Sequence, residues 1–571
     1  MEEIQKLLQK AVRELFEVDV EPEITEAPDE TGADYASNVA MRLAGVVHKA
    51  PMMIAKELKA AIEGSGESSL KVEIAGPGFL NFILPDEYFF EKVREHAENW
   101  QNFGKDISQD EYYGKTVVAE FSDPNPFKVL HVGHLYTSIV GDSISRLLEL
   151  AGARVVRANF GGDVGLHVGK TLYAVQKVGY RPEDLTIEKL AECYVEGTRA
   201  YEGDEAVKVE ITRLNKEIYR IAAVGREESE AWGGEEGELA RLYWRGRELS
   251  YEYFKDFYAQ IGVKFDKFYP ESTVADKGLE EVKAHVGSVY EESNGAIVYR
   301  GEKVGLHTRV FINTQGVPTY ETKDVGLIFT KWVDWHFDES VVITGNEQSD
   351  YMKVVLASVN EYAPELVERT RHLTHGLVKL QGAVKMSSRK GNFLKAVDVI
   401  EMIREELGGD KADDKVVLAA IKYAFLKYKM GGDIIFDPRE SVSTTGNSGV
   451  YLLYSAVRAK KILQKLNSGG EAVEKLSKNS VQSGEEGVFE KRLNKKIVQY
   501  EEIIRGAIRD KAPYKVCGYL YELAQEFSRF YEHVKVAGSE REQERGMMVQ
   551  AYMNVMEGGL GLLGIEVPEE M

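Results

Sequence analysis

The sequence predicts an α/β protein. Its core is a doubly wound parallel sheet carrying a long helical insertion, with a small α+β unit before it and an all-helical region after it. Three observations carry this reading. A strand–helix–strand unit fills residues 115–160, which is the seed of a parallel sheet. Residues from about 170 to 260 are helical in period, highly charged and interrupt the α/β pattern. From near Ile400 to Met571 the pattern is again helical. A chain of 571 residues is too long for one core, and the boundaries fall at 1–105, 106–400 and 401–571.

The first segment opens with Ile4–Phe16, apolar at helical spacing, and continues with a second helical pattern over Tyr35–Gly64. "LKVEIAGPGFLNFIL" then reads as two short strands around a Gly-Pro-Gly turn. "AENWQNFGKDISQDEYYGK" is polar and irregular and is expected to be a linker. In the second segment "KTVVAEFS" is an apolar strand and "GHLYTSIVGDSISRLLELAG" a helix. Its Leu135, Ile139, Leu147 and Leu148 share a face, and Gly152 supplies the C-terminal cap. "ARVVRANF" is the next strand, and strand signals return at "GAIVYR", "RVFINT" and "ESVVITG". The Ser/Gly/Glu-rich stretch Asn467 to Gly487 breaks the final helical region and is expected to be a loop.

Composition excludes several classes. No apolar run reaches the length of a membrane span, and the amphipathic start differs from a signal peptide, so a cytosolic protein is expected. Two cysteines, Cys193 and Cys517, exclude a disulfide framework and a cysteine-rich zinc site. The net charge of -21 by itself argues against a nucleic-acid partner. The excess is uneven, however: from Ser441 onward there are 18 Lys+Arg and 18 Asp+Glu. Much of it lies in "REESEAWGGEEGE", expected to be a solvated loop or insertion.

Two stretches carry chemistry. In "SDPNPFKVLHVGHLYTSIVGD", His131 and His134 fall where the first strand of the α/β core turns into its helix. Zinc would need a third and fourth ligand, and no Glu or Cys sits at the usual spacing. Packing beneath the turn is the bland alternative. Position favours phosphate: an open α/β sheet binds nucleotides at the carboxyl ends of its strands, with helix N–H groups facing the anion. Gly133 lets the backbone approach a flat base or ribose closely, and imidazoles can donate to phosphate oxygens as charge builds in a transition state. The second stretch, "LVKLQGAVKMSSRKGNFL", places Lys385, Met386, Ser387 and Ser388 ahead of Arg389 and Lys390. On its own it reads as a charged surface loop, though Lys385 suits a pyrophosphate leaving group.

Together, "HVGH" and "KMSS", in this order, resemble the two signatures of class I aminoacyl-tRNA synthetases. The wider text resembles the arginyl branch of that family over almost the whole chain. "SDPNPFKVLHVGHL" matches its Ser-x-x-Asn-x-x-Lys lead-in, "GDVGLHVG" its glycine-rich second turn, and "TYETKDVG" its Tyr-x-x-x-Asp helix. "GNSGVYLLY" and the ending "GLGLLGIEVPEEM" fit as well, and residues 35–83 resemble the added N-terminal domain that contacts the tRNA elbow.

The resemblance implies a Rossmann-type catalytic domain and a C-terminal all-α bundle that binds the anticodon. It implies activation of L-arginine by ATP, with Mg2+ arriving on the nucleotide, and transfer of the arginyl group to the terminal 2′-hydroxyl of tRNA(Arg). Activation in this family commonly depends on bound tRNA, and a monomer is expected. His131, His134 and Lys385 are expected at the ATP phosphates, with Lys128 beside them and Lys390 adding charge. Gly133 lies under the adenosine, and Met386, Ser387 and Ser388 complete the ATP loop. No protein-held metal is expected. For arginine, Asp324 and Tyr320 are expected to face the guanidinium, Glu271 to add a second carboxylate, and Asn125 and Gln348 to hold the α-amino and carboxyl groups. Tyr451, Tyr454 and Arg458 are expected to meet the anticodon, where aromatics near cations suit unstacked bases.

Physical chemistry supports that substrate separately. A guanidinium offers five donors and a fixed charge, so a specific pocket must present acceptors and a carboxylate. A hydrogen-bonding site of this kind rejects imperfect analogues by factors of roughly 10⁴ without editing. The chain departs from the family at Tyr136, Val164, Val450 and Leu453, where a basic residue, Trp, Pro and Gln are usual. Two rivals are an ATP-using nucleotidyl transferase without a tRNA step and an inactive paralogue serving as an RNA-binding or regulatory module.

Overall fold

A computed structural model describes residues 2–64, 70–107, 111–382, 394–468 and 485–571. They form two compact units: residues 1–98, 469–498 and 529–551 in the first, and 99–468, 499–528 and 552–571 in the second.

The first unit is built on a four-stranded antiparallel sheet. The hairpin Lys71–Ala75 and Phe79–Ile83 pairs with Tyr35–Ser37, which in turn pairs with Thr25–Glu26. Helices Glu2–Phe16, Val39–Val47 and Pro51–Gly64 bury Leu8, Val12, Leu43, Ile54 and Leu58 against Val72, Leu80 and Phe82. The helical pattern expected over Tyr35–Gly64 is therefore corrected in two places. Tyr35–Ser37 is a buried strand, and the helix breaks before Pro51, whose ring cannot continue a helix from behind.

The second unit contains the predicted parallel sheet. In chain order its elements are β1 (Thr116–Glu120), α1 (Val132–Leu150), β2 (Arg154–Gly161), β3 (Lys267–Pro270), α2 (Glu271–Ala284), α3 (Tyr320–Trp335), β4 (Glu339–Gly345), α4 (Ser349–Asn360) and β5 (Thr370–His375). The five strands run in the order β5-β4-β1-β2-β3, all parallel. The order reverses at β1, and such a switch point opens a crevice beyond the carboxyl ends of the strands. Strand β1 is buried on both faces, as its unbroken apolar run requires. Helix α1 ends as expected, with Gly152 at a φ of 87° just beyond its cap.

The insertion between β2 and β3 is helical, from Leu166–Val178 through Ile187–Gly203 and Glu205–Val224 to Gly234–Gln260. The acidic run, expected as a solvated loop or insertion, lies within the insertion and is helical rather than a loop: Arg226–Glu230 is one short helix and Gly234 opens the last. Its charges occupy the outward side, while Trp232 between them is held by the Arg220 guanidinium 4.2 Å from its ring. The strands at "GAIVYR" and "RVFINT" join a separate three-stranded antiparallel sheet, Glu291–Ser293, Ala296–Tyr299 and Arg309–Ile312. The expected linker contains a helix, Trp100–Ile107, because Trp100 and Phe103 stack at 4.8 Å and both rings meet Tyr500.

Candidate active site

The chain leaves β1 through Ser122–Lys128, a loop that breaks local rules. Ser122, Asp123 and Phe127 all take positive φ, at 75°, 47° and 67°. Such conformations cost about 1–3 kcal/mol each and persist only where the surroundings over-determine them. Here they do. The Phe127 amide donates to Ser250 Oγ at 2.8 Å, Ser122 Oγ bonds Tyr258 Oη at 2.8 Å, and the Phe160 amide donates to Asp123 Oδ1 at 2.8 Å. Ser250 and Tyr258 belong to the last insertion helix, so the insertion braces this loop. The result presents Asn125 between two prolines to the crevice. Opposite it, a Cβ on Gly162 would lie 2.2 Å from Asn125 Oδ1, so any larger residue there would push the Asn125 amide aside.

His131 and His134 form the cap of α1. His131 Nδ1 accepts from the Gly133 amide and His134 Nδ1 from the His131 amide, each at 3.1 Å. The rings stack with centroids 3.8 Å apart. Because both Nδ1 atoms accept from N–H groups, a neutral ring carries its proton on Nε2. Burial and then the neighbouring Lys128 lower the His131 pKa to about 4. Burial and then His131 hold His134 well below the usual histidine range. At neutral pH the turn therefore offers two uncharged Nε2–H donors. A Cβ on Gly133 would come within 2.8 Å of the His131 ring, so this glycine serves the histidine pair directly.

Lys395 pairs with His131 across an isolated bridge, with Val132 N donating to Leu394 O at 2.9 Å and Ala396 N to Leu130 O at 3.0 Å. Lys385, Met386, Ser387, Ser388, Arg389 and Lys390 lie outside the described residues. The described residues on either side of them, Leu380 and Leu394, both line the cavity that holds the histidines.

That cavity has a volume of about 1030 Å³. It is lined by His131, Gly133 and His134 together with Asn125, Glu271, Tyr320, Asp324 and Gln348, residues drawn from across more than two hundred positions of sequence. Glu271 is the first residue of α2, and that helix start is fixed by buried Asp163, which accepts from the Ser272 amide at 2.9 Å, from Ser272 Oγ at 2.7 Å and from Arg247 at 2.9 Å. Tyr320 and Asp324 sit one turn apart on α3, as expected, and Gln348 immediately precedes α4. Lys128 is not among the lining residues: its ammonium lies 4.4 Å from the centre of the Tyr194 ring, and burial lowers its pKa to about 8.

The carboxylates differ in how they are partnered. Lys323 Nζ donates to Glu271 at 2.5 Å, with both side chains almost fully buried. Burial pushes Glu271 up against the pull of Lys323. Lys331 makes the same kind of pair with Glu120, also at 2.5 Å. Asp324 accepts from the Tyr351 hydroxyl, and burial raises its pKa to about 8. The sequence reading did not single out Glu120, Asp123, Arg309, Tyr351 or His375, all of which line the cavity. The nearest available signal was position, since Asp123 lies two residues before Asn125 and Tyr351 three after Gln348. Among the described residues no group of three or more His, Cys, Asp or Glu side chains is set to hold a metal ion.

In the C-terminal helices, Arg458 stacks 4.4 Å from the centre of the Tyr454 ring, and Tyr454 is 37% exposed. Tyr451 instead packs inward, edge-on to Tyr521 with its hydroxyl 3.1 Å from Ser528 Oγ.

Residues 102–437 match the family model for the class I (R) tRNA synthetase catalytic domain, and residues 2–84 match that for the arginyl tRNA synthetase N-terminal domain. The chain belongs to the arginyl-tRNA synthetase family. Residues 452–571 match the family model for the DALR anticodon binding domain. The chain is 30% identical to the arginine–tRNA ligase of Clostridium acetobutylicum over 589 residues, covering 99% of each, and 31% identical to that of Treponema denticola over 492 residues, covering 81% of this chain and 80% of that one. Its fold matches the arginyl-tRNA synthetase of Thermus thermophilus with a TM-score of 0.77 at 23% identity over the full length of both chains. Like a class I synthetase, it has the parallel sheet with its helical insertion, an N-terminal domain and a helical C-terminal region. No helix among the described residues is long and apolar enough to cross a membrane.

Proposed function

We infer that this chain is an arginine–tRNA ligase that charges tRNA(Arg) with arginine at the expense of ATP. One observation carries the reading of the site: a single cavity is lined both by the histidine turn and by Asn125, Glu271 and Asp324. Two ligands that react with each other need such a shared space, and this one is large for a single small molecule.

The reaction has two steps. The arginine carboxylate attacks the α-phosphate of ATP, forming arginyl-adenylate and releasing pyrophosphate. The terminal 2′-hydroxyl of tRNA then attacks the activated carbonyl and AMP leaves. Positioning and charge stabilisation do most of the work. Asp324 and Tyr320 receive the guanidinium, and Glu271 shapes the electrostatics beside it. Asn125 and Gln348 hold the α-amino and carboxyl groups at the mouth of the pocket. His131 and His134 donate Nε2–H to phosphate oxygens, and Gly133 lies under the adenosine. Lys128, close behind the histidine turn, and Lys385 with Met386, Ser387 and Ser388 draw off the pyrophosphate. Mg2+ would arrive with ATP rather than be held by the protein.

Residues 1–105 contact the tRNA elbow, residues 106–400 carry the chemistry and residues 401–571 form the stem and anticodon region. There the exposed Tyr454–Arg458 stack suits an unstacked base better than the inward-packed Tyr451. The protein acts as a monomer. ATP–pyrophosphate exchange with each amino acid, with and without tRNA, tests the function. Exchange specific to arginine and enhanced by tRNA is the expected result, and exchange with another amino acid, or with none, overturns it.

A further inference from the structure

We propose that Tyr351 is a positioning residue for arginine selection, its hydroxyl fixing the plane of the Asp324 carboxylate so that the carboxylate meets a guanidinium edge-on. The proposal rests on the reading that Asp324 receives the guanidinium. Asp324 lies on α3 and Tyr351 on α4, and both line the cavity. Among the described residues the Tyr351 hydroxyl is the donor that reaches Asp324, bonding its Oδ2.

The physical need for such a donor is specific. The last torsion of an aspartate is broad and roughly two-fold, so an unanchored carboxylate turns freely. A bidentate pair with a guanidinium needs two oxygens coplanar with the fork, whereas an ammonium is a point charge that accepts any orientation. A donor on Oδ2 removes that freedom and leaves Oδ1 to define the approach. Tyr351 is itself anchored: the Arg309 guanidinium lies 5.4 Å from the centre of its ring, and Arg309 is held by Glu321 at 3.2 Å. The Glu321–Arg309–Tyr351–Asp324 chain therefore runs from α3 through Arg309 of the small antiparallel sheet and Tyr351 of α4 back to Asp324 on α3. Glu120 on β1, Asp123 in the following loop, Glu271 on α2 and Lys331 on α3 also act on Asp324, and Tyr351 is the partner that favours its ionised form by hydrogen bonding.

Tyr351→Phe keeps the ring and removes only the hydroxyl. In arginine-dependent pyrophosphate exchange it raises the KM for arginine about tenfold, the size expected for one hydrogen bond to a charged group. The KM for ATP and kcat at saturating arginine stay near wild type, and the pH midpoint of arginine binding moves upward. Adding Tyr351→Phe to Asp324→Asn gives no further rise, because the tyrosine acts through the aspartate. A Tyr351→Phe enzyme with unchanged arginine KM, equal losses in both KM values, or an additive loss in the double variant overturns the proposal. If Asp324→Asn alone leaves arginine KM unchanged, the reading of Asp324 fails instead.

Discussion

Arginine binding should expel a proton from the cavity. Burial raises Asp324 from the ordinary 3.8 to about 8, against the opposing pull of the Tyr351 hydroxyl. In the empty enzyme near neutral pH the protonated form therefore outnumbers the carboxylate by about ten to one. A guanidinium binds the carboxylate, so the apparent affinity is reduced by the fraction that is competent. Arginine should bind about tenfold more weakly near pH 7 than on the plateau above the Asp324 pKa, and near pH 7 each binding event should release about 0.9 proton. Titration calorimetry in two buffers of different ionisation enthalpy reads that proton directly, and an affinity series from about pH 6 to pH 8.5 reads the slope. Asp324→Asn should abolish both signals. That control matters because Lys128, lowered to about 8 by burial, titrates in the same range. The sign for stability follows from the same shift. A carboxyl group whose folded pKa is raised stabilises the empty protein most below its unfolded pKa, near 4, and that contribution is lost as pH rises through about 8. The ligand-free enzyme should thus lose melting temperature over this window while protection by arginine grows. An affinity that is flat with pH, or a binding enthalpy independent of buffer, would refute the placement of Asp324 against the guanidinium.

Three further outcomes follow from the geometry. Lys323→Met strands the Glu271 carboxylate in a buried site and should cost about 3–5 kcal/mol in urea unfolding, most of it recovered in Lys323→Met/Glu271→Gln. Gly162→Ala drives a methyl group into Asn125 Oδ1 and should raise the KM for arginine at least about tenfold, with the KM for ATP little changed in the same exchange assay. His134→Ala removes one Nε2–H donor and should lower kcat for pyrophosphate exchange by about a hundredfold or more.

The parts of this site that could be read from sequence are those whose chemistry and backbone signal coincide. His131, Gly133 and His134 stand where an apolar strand gives way to a helical period, and the structure shows the same residues capping that helix. Asn125, Glu271, the Tyr320–Asp324 turn and Gln348 lie in separate segments. Only the family pattern gathered them, since no local periodicity reports a meeting across the sheet. Local errors arose where polar composition hid packing. Two aromatic residues, Trp100 and Phe103, are enough to order a helix in the supposed linker, and the outward charges of the acidic run mask a helical backbone.

The pairings inside the cavity were invisible for a different reason: Lys323 meets Glu271 from 52 residues away and Tyr351 meets Asp324 from 27. Once they are seen, the charges support the proposal that Asp324 faces the guanidinium. Glu120 is neutralised by Lys331 and Glu271 by Lys323, both within the protein. Asp324 accepts from a hydroxyl and makes no ion pair among the described residues, and Asp123 and Glu347, which also line the cavity, make none there either, so the cavity carries a surplus of carboxyl groups without ion-pair partners. A buried charge is tolerated only when something pairs with it. A bound cation beside Asp324, the role proposed for the arginine guanidinium, would supply such a partner.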